Sequence, residues 1–198
     1  EGGTAAEDHT DSVTFNDTYS VTSPTINGYT ADTPVVSGTM PAKNVEVTVT
    51  YTKRSDLSYT VHYYWNGTTT PVKESETVNG QTFNASVTES PVAVTGCTPV
   101  NTDSKTITIG TGKNEITFYY YKNVELTANS DEVTYDGEEH SVSGFTGAPE
   151  GVTFNGISAS GSGTDVGAYN VIFDGTPVGK VDTTEKYIVT KATPGKLT

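Results

Sequence analysis

Gly28–Lys53 reads GYTADTPVVSGTMPAKNVEVTVTYTK, and the pattern returns at Gly96–Lys122 as GCTPVNTDSKTITIGTGKNEITFYYYK. Aligned from their ends, Glu46 matches Glu115, Thr48 matches Thr117, Tyr51 matches Tyr120 and Lys53 matches Lys122. Val47 and Val49 take the places of Ile116 and Phe118. Val45, Val47, Val49 and Tyr51 alternate with polar residues, as do Ile116, Phe118 and Tyr120. Period two sends successive side chains to opposite faces of an extended strand, so each copy is predicted to close on a half-buried strand. A repeated unit supplies length, spacing or valency to an array, which a single catalytic domain seldom needs.

The second copy also has a clear opening strand. Tyr59, Val61, Tyr63 and Trp65 share one face, Thr60, His62 and Tyr64 share the other, and Asn66-Gly67 makes the turn that follows. Shorter strands are predicted from Glu74 to Val78 and from Thr82 to Val87, split by a turn at Asn79-Gly80, with another from Lys105 to Ile109. Laid over this pattern, Val13 and Tyr19 correspond to Val78 and Phe83, and Ile26-Asn27-Gly28 to Val94-Thr95-Gly96. The counterpart of Tyr59–Trp65 would then fall before Glu1. The first copy is expected to lack its opening strand and to be frayed, rearranged or completed by another chain. Residues 54–57 form a first linker and Lys122-Asn123 a second; neither is a Gly/Ser tether, so the modules are expected in a fixed, extended line.

From Val124 the pattern changes. Val133 to Gly137 is a strand running into a turn, Gly144 to Gly151 a loop, and Val152 to Ala159 and Ala168 to Phe173 are strands. Tyr169, Val171 and Phe173 share a face, and Ser158 to Tyr169 is a Gly/Ser-rich bend. Val178 to Val181 and Tyr187 to Thr190 close the module. Many short strands between such turns predict a small β-sandwich.

Composition agrees. Hydrophobic residues are 33% of the chain, so each core is thin and its 12 Tyr and 6 Phe carry much of the buried area. Thr, Val and Tyr fit a pleated surface while Gly and Asn make turns, and no amphipathic helix of three turns is visible. The net charge is −13, with 11 Lys and Arg spread thinly, which argues against nucleic acid and against anionic membrane surfaces. No signal peptide, transmembrane run or sorting signal is seen. The abrupt ends suggest a piece of something longer. The one cysteine, Cys97, excludes an intramolecular disulfide and takes the place of Tyr29 as a packing residue.

The chemistry-bearing residues form no catalytic set. His9, His62 and His140 have no second ligand at metal spacing, no serine sits in a nucleophile elbow, and no general acid or base can be assembled. No cofactor or metal is expected. Asp131, Glu132, Asp136, Glu138 and Glu139 could offer oxygens to Ca²⁺ but lack the spacing of a designed loop, so they read as a solvated face. Asn16-Asp-Thr18, Asn66-Gly-Thr68 and Asn84-Ala-Ser86 have the form of glycosylation sequons. Tyr63, Tyr64, Trp65, Tyr119 and Tyr121 are the candidate glycan-contact aromatics, since rings exposed on a strand can stack on a sugar.

The repeats resemble the MucBP-type and Listeria–Bacteroides repeats of bacterial surface proteins. The likeness rests on Tyr59-Thr-Val-His-Tyr63, on Gly28-Tyr29 (Gly96-Cys97 in the second copy), and on the ends Val49–Lys53 and Phe118–Lys122. The last segment resembles the MBG or YDG family of Ig-like modules through Thr134–Gly137, Gly163–Tyr169 and Val189–Ala192. The resemblance implies all-β architecture: tandem β-grasp-like repeats over 1–54 and 55–122, an Ig-like β-sandwich over 123–192, and the start of a next module or linker over 193–198, all elongated. It further implies an extracellular, wall-anchored adhesin or stalk of Gram-positive or gut-anaerobe origin. Its expected partner is host mucin or another extracellular glycan or protein, and the chain itself is a monomer or weak strand-mediated dimer. A carbohydrate-binding module and an accessory segment of a larger extracellular enzyme are the alternatives.

Overall fold

A computed structural model describes residues 3–198. Among them there is no helix, and about 45% of the chain is strand, so the protein is all-β. It divides into two compact units. One takes in the chain up to Val61 with Glu76–Glu89 and Lys105–Ile116; the other takes in His62–Ser75, Ser90–Ser104 and Thr117–Thr198.

The first repeat holds β1 (Thr18–Thr22), β2 (Tyr29–Ala31), β3 (Val35–Thr39) and β4 (Tyr51–Lys53). The second holds β5 (Leu57–Trp65), β6 (Pro71–Gln81), β7 (Ser86–Glu89), β8 (Cys97–Pro99), β9 (Lys105–Thr108) and β10 (Glu115–Ala128). Antiparallel β1 and β3 set Thr18 opposite Thr39, and β7 and β9 set Ser86 opposite Thr108. In β2–β4 Tyr29 faces Lys53; in β8–β10 Cys97 faces Lys122. The end-aligned match of the two sequences is thus a match of strand register.

The front of the repeat corrects the sequence alignment. Asn16 N–H donates to Met40 O at 2.9 Å and Met40 N–H to Asp17 O at 2.8 Å; Asn84 N–H donates to Ile109 O at 2.9 Å and Ile109 N–H to Ala85 O at 2.8 Å. Both asparagines sit at positive φ, 70° and 61°, a left-handed turn that Asn tolerates better than most residues. Phe15 therefore corresponds to Phe83, and Tyr19 to Val87. The tripeptide Thr-Phe-Asn, present at 14–16 and again at 82–84, carried that signal. The turn expected at Asn79-Gly80 is absent: β6 runs through it, with Gly80 at φ 73°, and the chain turns instead at Thr82, whose carbonyl accepts from Ala85 N–H.

Phe83 makes a joint in the first unit. Its ring meets Tyr29 edge-on, with centroids 5.7 Å apart, and a Cβ placed on Gly28 would stand 2.3 Å from that ring. Gly28 also has φ 80°, so both space and backbone require glycine there. Phe83 N–H donates to Arg54 O and Arg54 N–H to Gly28 O, each at 2.9 Å, while Thr111 Oγ1 donates to Asn27 Oδ1 at 2.8 Å. Phe15, its counterpart, is 67% exposed.

In β5 the predicted alternation holds: Leu57, Tyr59, Val61 and Tyr63 are buried. β5 lies between β6 and β10. Side-chain bonds from Thr60 to Thr77 and from His62 to Ser75 show that β6 runs antiparallel to it. By contrast, Thr60 N–H reaches Asn114 O and Asn66 N–H reaches Tyr120 O, so β5 and β10 advance together and are parallel. The closing strand predicted over Val45–Tyr51 shrinks to β4, and Val45 and Val47 are exposed where Ile116 is buried. Among the described residues no strand flanks 45–50 as β5 flanks β10, and an extended segment without such a neighbour is not held.

β10 continues unbroken through Lys122 and Asn123, so no linker interrupts the chain there. Beyond it come β11 (His140–Ser143), β12 (Phe145–Thr146), β13 (Ala159–Gly163), β14 (Tyr169–Phe173), β15 (Tyr187–Thr193) and β16 (Gly195–Leu197). β15 pairs parallel with β10 along Lys122–Thr127, and β12 pairs antiparallel at Thr127 and Ala128. β11, β13, β14 and β16 make a four-stranded sheet. Val124, Leu126, Phe154 and Val189 form one core cluster; Ala128, Ala159, Val171 and Leu197 form a second that ties β10 to that sheet in a sandwich-like packing. Much of the predicted Gly/Ser bend is strand β13. Its glycines are there for clearance, because a Cβ on Gly161 would lie 2.5 Å from Asn170 O and one on Gly163 2.2 Å from the Tyr169 ring. The strands expected over 133–137 and 152–158 are irregular, and Val178–Val181 retains one bridge, Val181 to Ile188.

Candidate binding surface

The five aromatics named from the sequence go to three places. Tyr63 is in the core, 2% exposed, beside the rings of Phe118 and Tyr120 at 6.3 and 6.4 Å, and offers no surface to a ligand. The alternation that groups it with Tyr59 and Val61 is what buries it. Tyr64, one residue on, faces the other way; it stacks on His62 at 5.4 Å and meets Tyr119 at 6.5 Å. His62 Nδ1 lies 2.7 Å from Ser75 Oγ, which fixes the imidazole against β6. Tyr119 is 39% exposed, and Tyr121, two residues along β10, is half-buried on the same face.

Trp65 leaves this face. It lines an open cleft of about 240 Å³ with Asn66, Thr68, Lys122, Lys186 and Tyr187. Lys122 Nζ stands 5.9 Å from the Trp65 ring centre, within cation–π range. Nothing in the sequence links Trp65 to Lys186 and Tyr187. The parallel pairing of β10 with β15 brings them together.

The titratable groups are held in structural roles. Asp182, 3% exposed, accepts from the Thr184, Lys186 and Tyr187 backbone N–H groups and from the Thr184 hydroxyl. Burial opposes its charge, but these donors outweigh it and hold its carboxyl below the usual range. The Tyr59 hydroxyl donates to Glu89, and that bond together with burial pushes its pKa up to about 12. Burial raises the Cys97 thiol against the pull of Lys122, opposite to what a reactive thiolate needs. In the acidic run, Asp136 accepts from Glu138 N–H and contacts His140, which lower its pKa in that order. No group of three or more His, Cys, Asp or Glu among the described residues is placed to hold a metal ion.

The surface can therefore offer stacking area on one sheet face and a cationic, aromatic cleft elsewhere. Compared with protein-family models, with curated proteins and with solved structures, the chain matches none.

Proposed function

We propose that the chain is a non-enzymatic, tension-bearing segment of an extracellular, wall-attached bacterial surface protein, built from MucBP-type repeats and an MBG-type Ig-like module. The carrying observation is the strand order. β5 opens the second repeat and β10 closes it, and the two are parallel neighbours. β10 then opens the last module, where its parallel neighbour is β15, near that module's end. Pulling the start of the first strand against the end of its parallel partner loads the hydrogen bonds across the line of force, so they resist together and cannot be unzipped singly. The net charge of −13 suits a solvated surface segment. Stretching the chain by its ends tests the reading: discrete force peaks are expected, and smooth extension at low force sinks it.

A second reading, contact with saccharides, draws support from the run of half-buried His62 and Tyr64 with exposed Tyr119, since stacked rings on a sheet face suit a sugar. A glycan array with Tyr64→Ala and Tyr119→Ala as controls tests it; no signal above background rejects it.

A further inference from the structure

We propose that the Trp65 cleft binds an acidic saccharide, a sugar ring carrying a carboxylate or sulfate. The inference rests on the saccharide reading and adds a second site with a charge preference.

Lys122 lines the cleft from β10 and Lys186 from the bend just before β15, and Lys122 N–H donates to Lys186 O at 2.8 Å. Neither ammonium takes part in an ion pair among the described residues, and no carboxylate lines the cleft. In a chain with 24 acids and 11 bases, this cleft is lined by two lysines and no carboxylate. An anion entering the cleft is attracted by both lysines. Trp65 supplies an apolar wall on which a ring can stack, and Tyr187 adds a second aromatic to the lining.

The walls are preformed. Trp65 N–H donates to Thr70 O and the Thr68 hydroxyl to Trp65 O, each at 3.0 Å, while Asn66 Nδ2 donates to Glu185 O at 2.9 Å. Binding then orders little backbone, which spares affinity. A carboxylate or sulfate reaching both ammonium groups would form charge-assisted bonds as its ring lies against the indole.

Trp65 is the only tryptophan, so emission excited selectively at tryptophan, beyond the absorption of the 12 tyrosines, reports on this cleft. The full chain is titrated with sialyllactose, with sulfated lactose and with lactose. A saturable change is expected with one or both acidic probes and not with lactose, weakening as salt is raised. Lys122→Met and Lys186→Met should each weaken binding about tenfold, the worth of one charge-assisted bond. Unchanged circular dichroism and melting would show that both variants stay folded; if either unfolds, Lys→Gln at that position is read in its place. Equal response to lactose, or variants that bind as well as the parent, would overturn the charge preference and leave a neutral sugar contact standing. No response to any probe overturns this site, and if the glycan array is also blank the saccharide reading falls with it.

Discussion

Phe83→Ala and Phe15→Ala remove the same ring from the same Thr-Phe-Asn motif, yet they should behave differently. Phe83 is half-buried against Gly28 and Tyr29, whereas Phe15 is 67% exposed. Removing a fully buried Phe costs about 3–5 kcal/mol, so half burial sets Phe83→Ala at roughly 2 kcal/mol. Of that, about 0.5–1.5 kcal/mol is the edge-on pairing with Tyr29. An exposed ring away from such features contributes within about 0.5 kcal/mol. In a chain of this size Phe83→Ala should lower Tm by roughly 4–8 °C, and Phe15→Ala by no more than about 2 °C. Hydrogen exchange gives the local view: the Phe83 and Arg54 amides, bonded to Arg54 O and Gly28 O, should lose protection in Phe83→Ala only. Equal effects of the two substitutions, or a Phe83 effect within about 0.5 kcal/mol, would refute the joint.

Other consequences can be measured directly. Asp182→Ala strips four accepted hydrogen bonds from a buried turn and should cost about 3 kcal/mol at neutral pH by denaturant unfolding. The folded pKa of Asp182 is depressed, so its contribution is present above about pH 4 and lost as pH falls through the folded value; the gap between parent and variant should narrow in acid. Tyr59 is the opposite case. Its raised pKa gives stability that is complete below about pH 10 and lost as pH climbs toward about 12, on the order of 2–3 kcal/mol, and Tyr59→Phe should flatten that alkaline decline. Gly163→Ala puts a methyl group 2.2 Å from the Tyr169 ring and should destabilise the fold around β13 and β14 by about 1–3 kcal/mol, read by denaturant unfolding.

Much of the fold was legible because period-two patterning is a local signal. β5, β9 and β14 fall where alternation puts them, and residues matched between the repeats occupy equivalent places in the structure, Tyr29 opposite Lys53 and Cys97 opposite Lys122. What misled were glycines and asparagines, which mean a turn in one setting and clearance in another. Asn79-Gly80 lies inside a strand, and Gly161 and Gly163 are small because β14 crosses close by. The alternation at Val45–Val49 was real, but a strand also needs a neighbour, and that is not written in the segment itself. The candidate site was half legible: the outward turn of Tyr64 and Tyr119 follows from parity, whereas Lys186 and Trp65 come to line one cleft only through a parallel pairing that no local pattern announces.

The central claim is that parallel first and last strands carry load, and pulling direction tests it within one chain. Handles are placed at positions 57 and 122, which shears β5 against β10, or at 57 and 115, which peels the same pair from one end. The same hydrogen bonds break in either geometry, together in the first and one after another in the second. The account predicts a clearly higher unfolding force through 57 and 122; equal forces in the two directions would contradict it.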